Sequence, residues 1–161
     1  AFFAKRNGLK IAVAESCTSG LLASFLSSLA GSSTWFEFGV VCYSNLSKKA
    51  LLSVDLNSVK FHGSVSKIVA SQMLAGLEKI PHDKKNKFYV FSSITGIAGP
   101  TGGSEKKPIG LVWHGFQAYG ERSFKKSIFS GGRIQIRNLA VRKALEGLIS
   151  EAAKKNKGII E

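Results

Sequence analysis

The feature that most constrains this chain is the passage from Ile11 to Leu29, where an apolar strand runs into a turn of small hydroxyl residues and then into an amphipathic helix. Ile11, Ala12, Val13 and Ala14 form a continuous apolar run, as a strand buried on both faces of a sheet does. Leu21, Leu22, Phe25, Leu26 and Leu29 follow at helical spacing. Between them, Glu15-Ser16-Cys17-Thr18-Ser19-Gly20 leads from a strand end to a helix start, the place where open α/β sheets bind ligands. Free N–H groups at a helix start attract anions. Ser16, Thr18 and Ser19 can add hydroxyls that hold an anion, supply a nucleophile or cap the helix.

The rest of the chain alternates in the same way. Phe2 and Phe3 end a short helix broken at Asn7-Gly8, and Gly31 is predicted to close the helix that begins at Leu21. Trp35 to Tyr43 is rich in aromatic and β-branched residues and reads as a second strand, followed at Asn45 by a helix carrying Leu46, Ala50, Leu51 and Leu52. Val65, Ile68, Val69, Met73, Leu77 and Ile80 make a third stripe, capped by Ser64 or Ser66 and ended by Pro81. Phe88 to Thr95 is another strand and runs into a second glycine-rich turn, Gly96 to Gly103. Ile109 to Tyr119 and Arg122 to Phe129 pair as a hairpin around Gly120. The last helix carries Ile136, Leu139, Ala140, Leu145, Leu148 and Ile149. This order predicts an α/β fold, a three-layer α/β/α arrangement with a mixed central sheet, as a single domain over residues 1–161.

A chain of 161 residues with 44% hydrophobic content can bury a core without disulfides or metal. No apolar run approaches the ~20 residues of a membrane span, and Ala1 to Arg6 lacks the order of a secretion signal, so a cytoplasmic protein is expected. Cys17 and Cys42 then read as buried free thiols. The net charge of +13 favours anionic partners. The excess is spread out, however, and its densest pieces, Lys84 to Lys87 and Lys154 to Lys157, lack the interleaved aromatics of a nucleic-acid platform. Solvated loops and solubility explain most of the excess, and neither nucleic acid nor membrane is an expected partner. There is no P-loop, no G-x-G-x-x-G, no H-E-x-x-H and no C-x-x-C. His62, His82 and His114 show no metal-ligand spacing, so neither metal nor cofactor is expected. Ser64-x-x-Lys67 and Ser104-x-x-Lys107 are four-residue patterns too common in a chain rich in Ser and Lys to carry weight.

Several further segments form one pattern: Ala14-Glu15-Ser16-Cys17-Thr18, Ala30-Gly31-Ser32-Ser33, Gly39-Val40-Val41 and Tyr43-Ser44-Asn45 with Lys48. They continue with His62-Gly63-Ser64-Val65-Ser66, Thr95 to Gly103, Lys107-Pro108-Ile109-Gly110 and Phe129-Ser130-Gly131 with Arg133. Together, covering nearly the whole chain and in the same order, these segments resemble the C-terminal domain family of the competence-damage-inducible protein CinA, the nicotinamide-nucleotide amidohydrolases. Two positions depart from the pattern: Ser19 stands where the family usually has Gly, and Gly132 where it usually has Asp.

The resemblance implies hydrolysis of the carboxamide of nicotinamide mononucleotide (NMN), a step of pyridine nucleotide salvage, without metal or cofactor. Carried over by position, Ser16 is the nucleophile, Lys48 the base and Tyr43 a hydrogen-bonding partner that relays the proton. A hydroxyl attacks poorly until a base takes its proton, and a lysine serves only when its pKa is depressed. Arg133 is the cation expected to depress it. The 5′-phosphate and the developing oxyanion need donors, which the backbone at Cys17 and Thr18, the turn containing Gly99, Gly102 and Gly103, and Arg133 can supply. Thr95 is carried over as a substrate-contacting hydroxyl. A homo-oligomer, dimer or larger, is expected. The alternative is a basic binding module for a phosphorylated ligand or nucleic acid that keeps the fold and lacks hydrolysis.

Overall fold

The computed structural model describes residues 2–82 and 88–154, so most of the two lysine-rich pieces lies outside the described residues. In chain order the elements are α1 (Phe2–Arg6), β1 (Lys10–Glu15), α2 (Leu21–Ser27), a 3-10 turn (Ser32–Thr34), β2 (Phe36–Val41), α3 (Asn45–Leu52) and α4 (Leu56–His62). They continue with α5 (Lys67–Lys79), β3 (Tyr89–Gly96), β4 (Leu111–Ala118), β5 (Glu121–Ile128) and α6 (Arg133–Ala153). The strands form one sheet in the order β2-β1-β3-β4-β5. β1 runs parallel to both neighbours, whereas β4 is antiparallel to β3 and to β5. The sheet is therefore mixed, as the order of elements predicts.

Alternation along β1 sets the three layers. Ile11 and Val13 point to one face and join a core with Leu22 and Leu26 of α2 and Ile136, Ala140 and Leu148 of α6. Ala12 and Ala14 point to the other face and pack with Leu52 of α3 and Val69, Met73, Leu74 and Leu77 of α5. Helices thus cover both faces, the condition under which a parallel strand reads as continuously apolar. Close approach decides one position outright: a Cβ at Gly147 of α6 would fall 2.1 Å from the Phe116 ring of β4, so only glycine lets that helix settle on the sheet.

Three local expectations change. α2 stops at Ser27, and Gly31 opens the 3-10 turn at φ 81° instead of capping the helix. The Leu26 carbonyl is taken by the Trp35 indole at 2.9 Å, and the Ser27 and Ser28 hydroxyls bond back to the carbonyls of Ala23 and Phe25, which ends the helix early. α4 escapes the sequence pattern because none of its residues is buried, so it has no apolar stripe. Its one signal is Asp55, whose carboxylate accepts from the N–H groups of Asn57 and Ser58. On α6 the buried face includes Ala140, Ala144, Gly147 and Ala152, while Leu139 and Ile149 face outward. Ile136, Ala140 and Leu148 of the expected stripe are buried beside these small residues, so the stripe holds in part and departs at Leu139 and Ile149.

The carboxyl ends of β1, β2 and β3 lie side by side at Glu15, Val41 and Gly96. Both turns singled out in the sequence, 15–20 and 96–103, leave from this edge. α3 descends from it as well, with Ser44 as its N-cap accepting from Ser47 N–H at 3.0 Å.

Candidate active site

At the end of β1 the chain must convert a buried strand into a helix, and Glu15 accomplishes this. Its fully buried carboxylate accepts from the N–H groups of Gly20, Leu22 and Ala23 at 3.1, 3.1 and 2.8 Å. The free donors of the α2 start are therefore occupied from within, so the place expected to hold an anion is filled by the protein's own carboxylate. In the turn before α2, Ser16 N–H donates to Ile94 O, Ser19 N–H to Ser16 O and Leu21 N–H to Thr18 O. Of the two amides that this pattern does not use, that of Cys17 belongs to a residue lining the candidate cleft, whereas Thr18 is fully buried and lines no part of it, so the donor role expected of Thr18 is closed off by burial. Ser19 adopts φ 51°, a left-handed conformation that glycine adopts without strain, so the position itself suits glycine better than the serine it holds. Glu15→Ala is expected to cost roughly 2–4 kcal/mol of stability by orphaning these N–H groups, measurable by urea unfolding. An unchanged midpoint would mean that water replaces the carboxylate.

Ser16, Cys17, Tyr43, Lys48, Thr95 and Arg133 line one cleft of about 150 Å³, together with Ser64, Val65, Gly96 and Ala98. Lys48 is 1% exposed, unlike its neighbour Lys49, which is exposed. Its Nζ donates to the Tyr43 carbonyl at 3.0 Å, and among the described residues no carboxylate pairs with it. Burial pushes its pKa below the ordinary lysine value, opposed by the Cys42 and Cys17 sulfurs. Arg133 is not the cause. Its guanidinium is spent on Gly99 O at 2.8 Å and on the Tyr43 hydroxyl at 2.9 Å, so it ties the second glycine turn to the rim of the cleft. Among the described residues no hydrogen bond joins Ser16 to Lys48. Tyr43 meets Lys48 through its backbone carbonyl, while its half-exposed ring and hydroxyl reach Arg133.

Thr95, at the end of β3, donates its hydroxyl to Ser64 O at 2.8 Å and so pins the loop between α4 and α5 against the cleft. Lys107 holds the same loop from the other side, donating to Val65 O at 2.8 Å and to His62 O. The Ser104-x-x-Lys107 pattern is thus a structural turn, closed by Ser104 N–H to Lys107 O at 2.8 Å. Gly96 has no room for a side chain, since a Cβ there would lie 2.9 Å from Cys17 Sγ and 2.7 Å from Val112. Gly99 is buried in the turn, with Gly102 and Gly103 exposed beyond it. Gly132 is the N-cap of α6 and has no side chain to cap it, and its own N–H donates to Gln135 Oε1 at 2.9 Å.

Sequence reasoning missed Ser64 and Arg137. Arg137, one turn beyond Arg133 on α6, donates to Thr18 O at 2.8 Å and holds the Ser16–Thr18 turn from behind. Only its helical spacing from Arg133 could have flagged it. Burial raises the Cys17 thiol to about 12 and the Cys42 thiol to about 11, so both are neutral and Cys17 is a poor nucleophile near neutral pH. Both cysteines are free and buried. Among the described residues no three of His, Cys, Asp and Glu gather as a metal site, and no helix is long and apolar enough to cross a membrane.

The family model for the CinA C-terminal domain matches residues 2–152. The nicotinamide-nucleotide amidohydrolase PncC of Escherichia coli K12 is 42% identical over 145 residues, covering 89% of this chain and 85% of its own length. A CinA-like protein of Acaryochloris marina is 43% identical over 146 residues, 89% of this chain and 34% of that longer protein. Among solved structures, a competence/damage inducible protein of Agrobacterium tumefaciens superposes with a TM-score of 0.83 at 38% identity, covering 91% of this chain and 87% of that one. A CinA superfamily protein of Klebsiella pneumoniae superposes at 0.86 with 28% identity, covering 95% and 92%. Matched from its first described helix to the end of α6, with a hydroxyl turn, a buried lysine and an arginine meeting in one cleft, the chain belongs to the CinA C-terminal domain family.

Proposed function

We propose that this protein hydrolyses the carboxamide of NMN to nicotinate mononucleotide and ammonia, with Ser16 as nucleophile and Lys48 as base. The observation that carries the reading is Lys48: a lysine 1% exposed and without a carboxylate partner, on the wall of the cleft that Ser16 enters. A buried, unpaired ammonium is costly, and losing its proton is the cheapest relief. A neutral amine keeps two hydrogens and one lone pair. It can go on donating to Tyr43 O while turning the lone pair to Ser16 Oγ.

In the reaction, Lys48 takes the Ser16 proton as Oγ attacks the amide carbon. The oxyanion that forms is met by the Cys17 amide at the cleft wall. Collapse breaks the C–N bond, and Lys48 returns the proton to the leaving nitrogen, releasing ammonia and leaving an ester on Ser16. Water then attacks the ester, with Lys48 as base again, and Ser16 recovers its proton as the carboxylate product departs. Tyr43 acts here by orienting Lys48 through its carbonyl and by holding Arg133 through its hydroxyl. Thr95, its proton committed to Ser64, offers the substrate an acceptor.

A cleft of about 150 Å³ is smaller than the ~300 Å³ typical of a whole ligand pocket, so it takes the carboxamide end of the substrate. The ribose phosphate then extends toward Arg133 and the Gly99, Gly102 and Gly103 turn, beside a further hollow of about 470 Å³ lined by Pro100 to Ser104, Pro108 and Ile109. Arginine and backbone N–H groups are suited to a phosphate monoester. The test is ammonia release from NMN, run with and without chelator. Turnover is expected to survive EDTA unchanged, and inactivation reversed by zinc or magnesium would overturn the metal-free scheme.

A further inference from the structure

On the α5 side of the sheet a second hollow, of about 300 Å³, lies beside the reactive cleft. Its wall is Trp113, half-buried on β4, and its rim carries His62, Lys67, Lys106, Lys107 and Lys126, with no carboxylate among the lining residues. Register places it as a sideways continuation of the cleft. Thr95 pairs with Trp113 and Trp113 with Lys126, so these three side chains form one row on one face of three adjacent strands. At about 4.8 Å per strand, Lys126 stands roughly 10 Å from Thr95. Val65 lines both hollows, and the loop carrying it, held by Thr95 and Lys107, is the bar between them.

The cations are not balanced from within. Among the described residues Lys67, Lys106 and Lys126 make no ion pair, and Lys67 Nζ rests 5.4 Å from the centroid of the Phe124 ring. Lys107 spends its ammonium on carbonyl oxygens, which leaves its charge uncompensated. Like charges gathered around one hollow repel one another unless an anion sits among them. One aromatic wall beside three available ammonium groups matches a ring joined to more than one phosphate. A polynucleotide would call for a succession of stacking surfaces, and a single phosphate would leave the indole unused.

We propose that this groove binds a nucleoside diphosphate, its base against Trp113 and its phosphates among Lys67, Lys106 and Lys126. The site is separate from the hydrolytic reading, since Ser16, Tyr43, Lys48 and Arg133 do not line it. Isothermal titration with ADP, inorganic pyrophosphate and adenosine tests it on the full chain. ADP is expected to bind once per chain, weakening as salt is raised, and at least about fivefold more tightly than pyrophosphate because of the stacked base. Adenosine alone should give no saturable heat. The double variant Lys67→Ala/Lys126→Ala, both exposed positions, should weaken ADP by about tenfold or more, and Arg133→Ala should leave it unchanged. ADP binding that is absent, that survives the double lysine variant, or that is lost in Arg133→Ala overturns the proposal. So does a single-stranded oligonucleotide that outcompetes ADP at equal phosphate concentration. None of these readouts depends on turnover of NMN, so failure here leaves the amidohydrolase reading standing, and the converse holds as well.

Discussion

Replacing Ser16 by alanine is expected to lower NMN deamidation by on the order of 10³-fold or more, with fold and substrate affinity nearly intact. The asymmetry follows from what the side chain touches. The Ser16 backbone holds the turn, through its N–H to Ile94 O and its carbonyl to Ser19 N–H, whereas the hydroxyl lines the cleft. Removing the hydroxyl leaves the Cys17 amide and the Arg133 contacts in place, so binding persists while covalent chemistry stops. The checks are kcat from ammonia release and an unfolding free energy in urea changed by less than about 1 kcal/mol. Activity above a tenth of wild type would exclude Ser16 and turn attention to Cys17, whose thiol pKa of about 12 argues against it near neutral pH.

The second large effect belongs to Lys48. Lys48→Arg is expected to be nearly inactive, again by about 10³-fold, because a guanidinium retains its proton throughout the accessible pH range. In the wild type, kcat/KM should rise with pH along a limb whose apparent pKa lies below the ordinary lysine value, since burial lowers it. Stability carries the same signature. A lysine whose folded pKa is lowered binds its proton more weakly in the native state than in the unfolded chain, so it destabilises the fold at low pH. That penalty is relieved as pH rises from the folded value toward the unfolded one. Lys48→Met should therefore be inactive yet at least as stable as wild type near pH 7, with a flatter rise of stability toward alkaline pH. Near-normal turnover in Lys48→Arg, or an unchanged alkaline limb, would return Lys48 to a structural role and leave Ser16 needing another base.

Much of this was legible along the chain because β1 and β3 are buried along most of their length and announce themselves by apolar residues, while β2 shows itself by its aromatic and β-branched residues. Ile11 to Ala14, Trp35 to Tyr43 and Phe88 to Thr95 all become neighbouring strands, with the two marked turns at their shared carboxyl edge. The hairpin around Gly120 was legible for a local reason: Tyr119 and Gly120 both take positive φ, 53° and 82°, the geometry of a two-residue turn matched to strand twist. α4 was not legible, because a helix lying on the surface over α5 needs no apolar stripe. The buried face of α6 was obscured in part by its reliance on Ala and Gly. In the candidate site, residue identity came from family resemblance, and sequence could not assign the partners. That Glu15 would fill the α2 start, that Lys48 would be buried by α3 packing, and that Arg133 would bond Tyr43 are contacts between segments up to 90 residues apart. Lys49 and Lys48 look alike along the chain, and only the docking of α3 against α5 decides which one loses water.

The central claim is that this cleft performs hydrolysis and does not merely hold a phosphorylated ligand. It is tested most directly by incubating the wild-type protein with NMN and following ammonia and nicotinate mononucleotide together. The expected result is one of each per NMN consumed, with neither formed above background by Ser16→Ala at the same concentration. Saturable binding of NMN by the wild-type protein with no ammonia released would contradict it and identify the chain as a binding module built on a hydrolase fold.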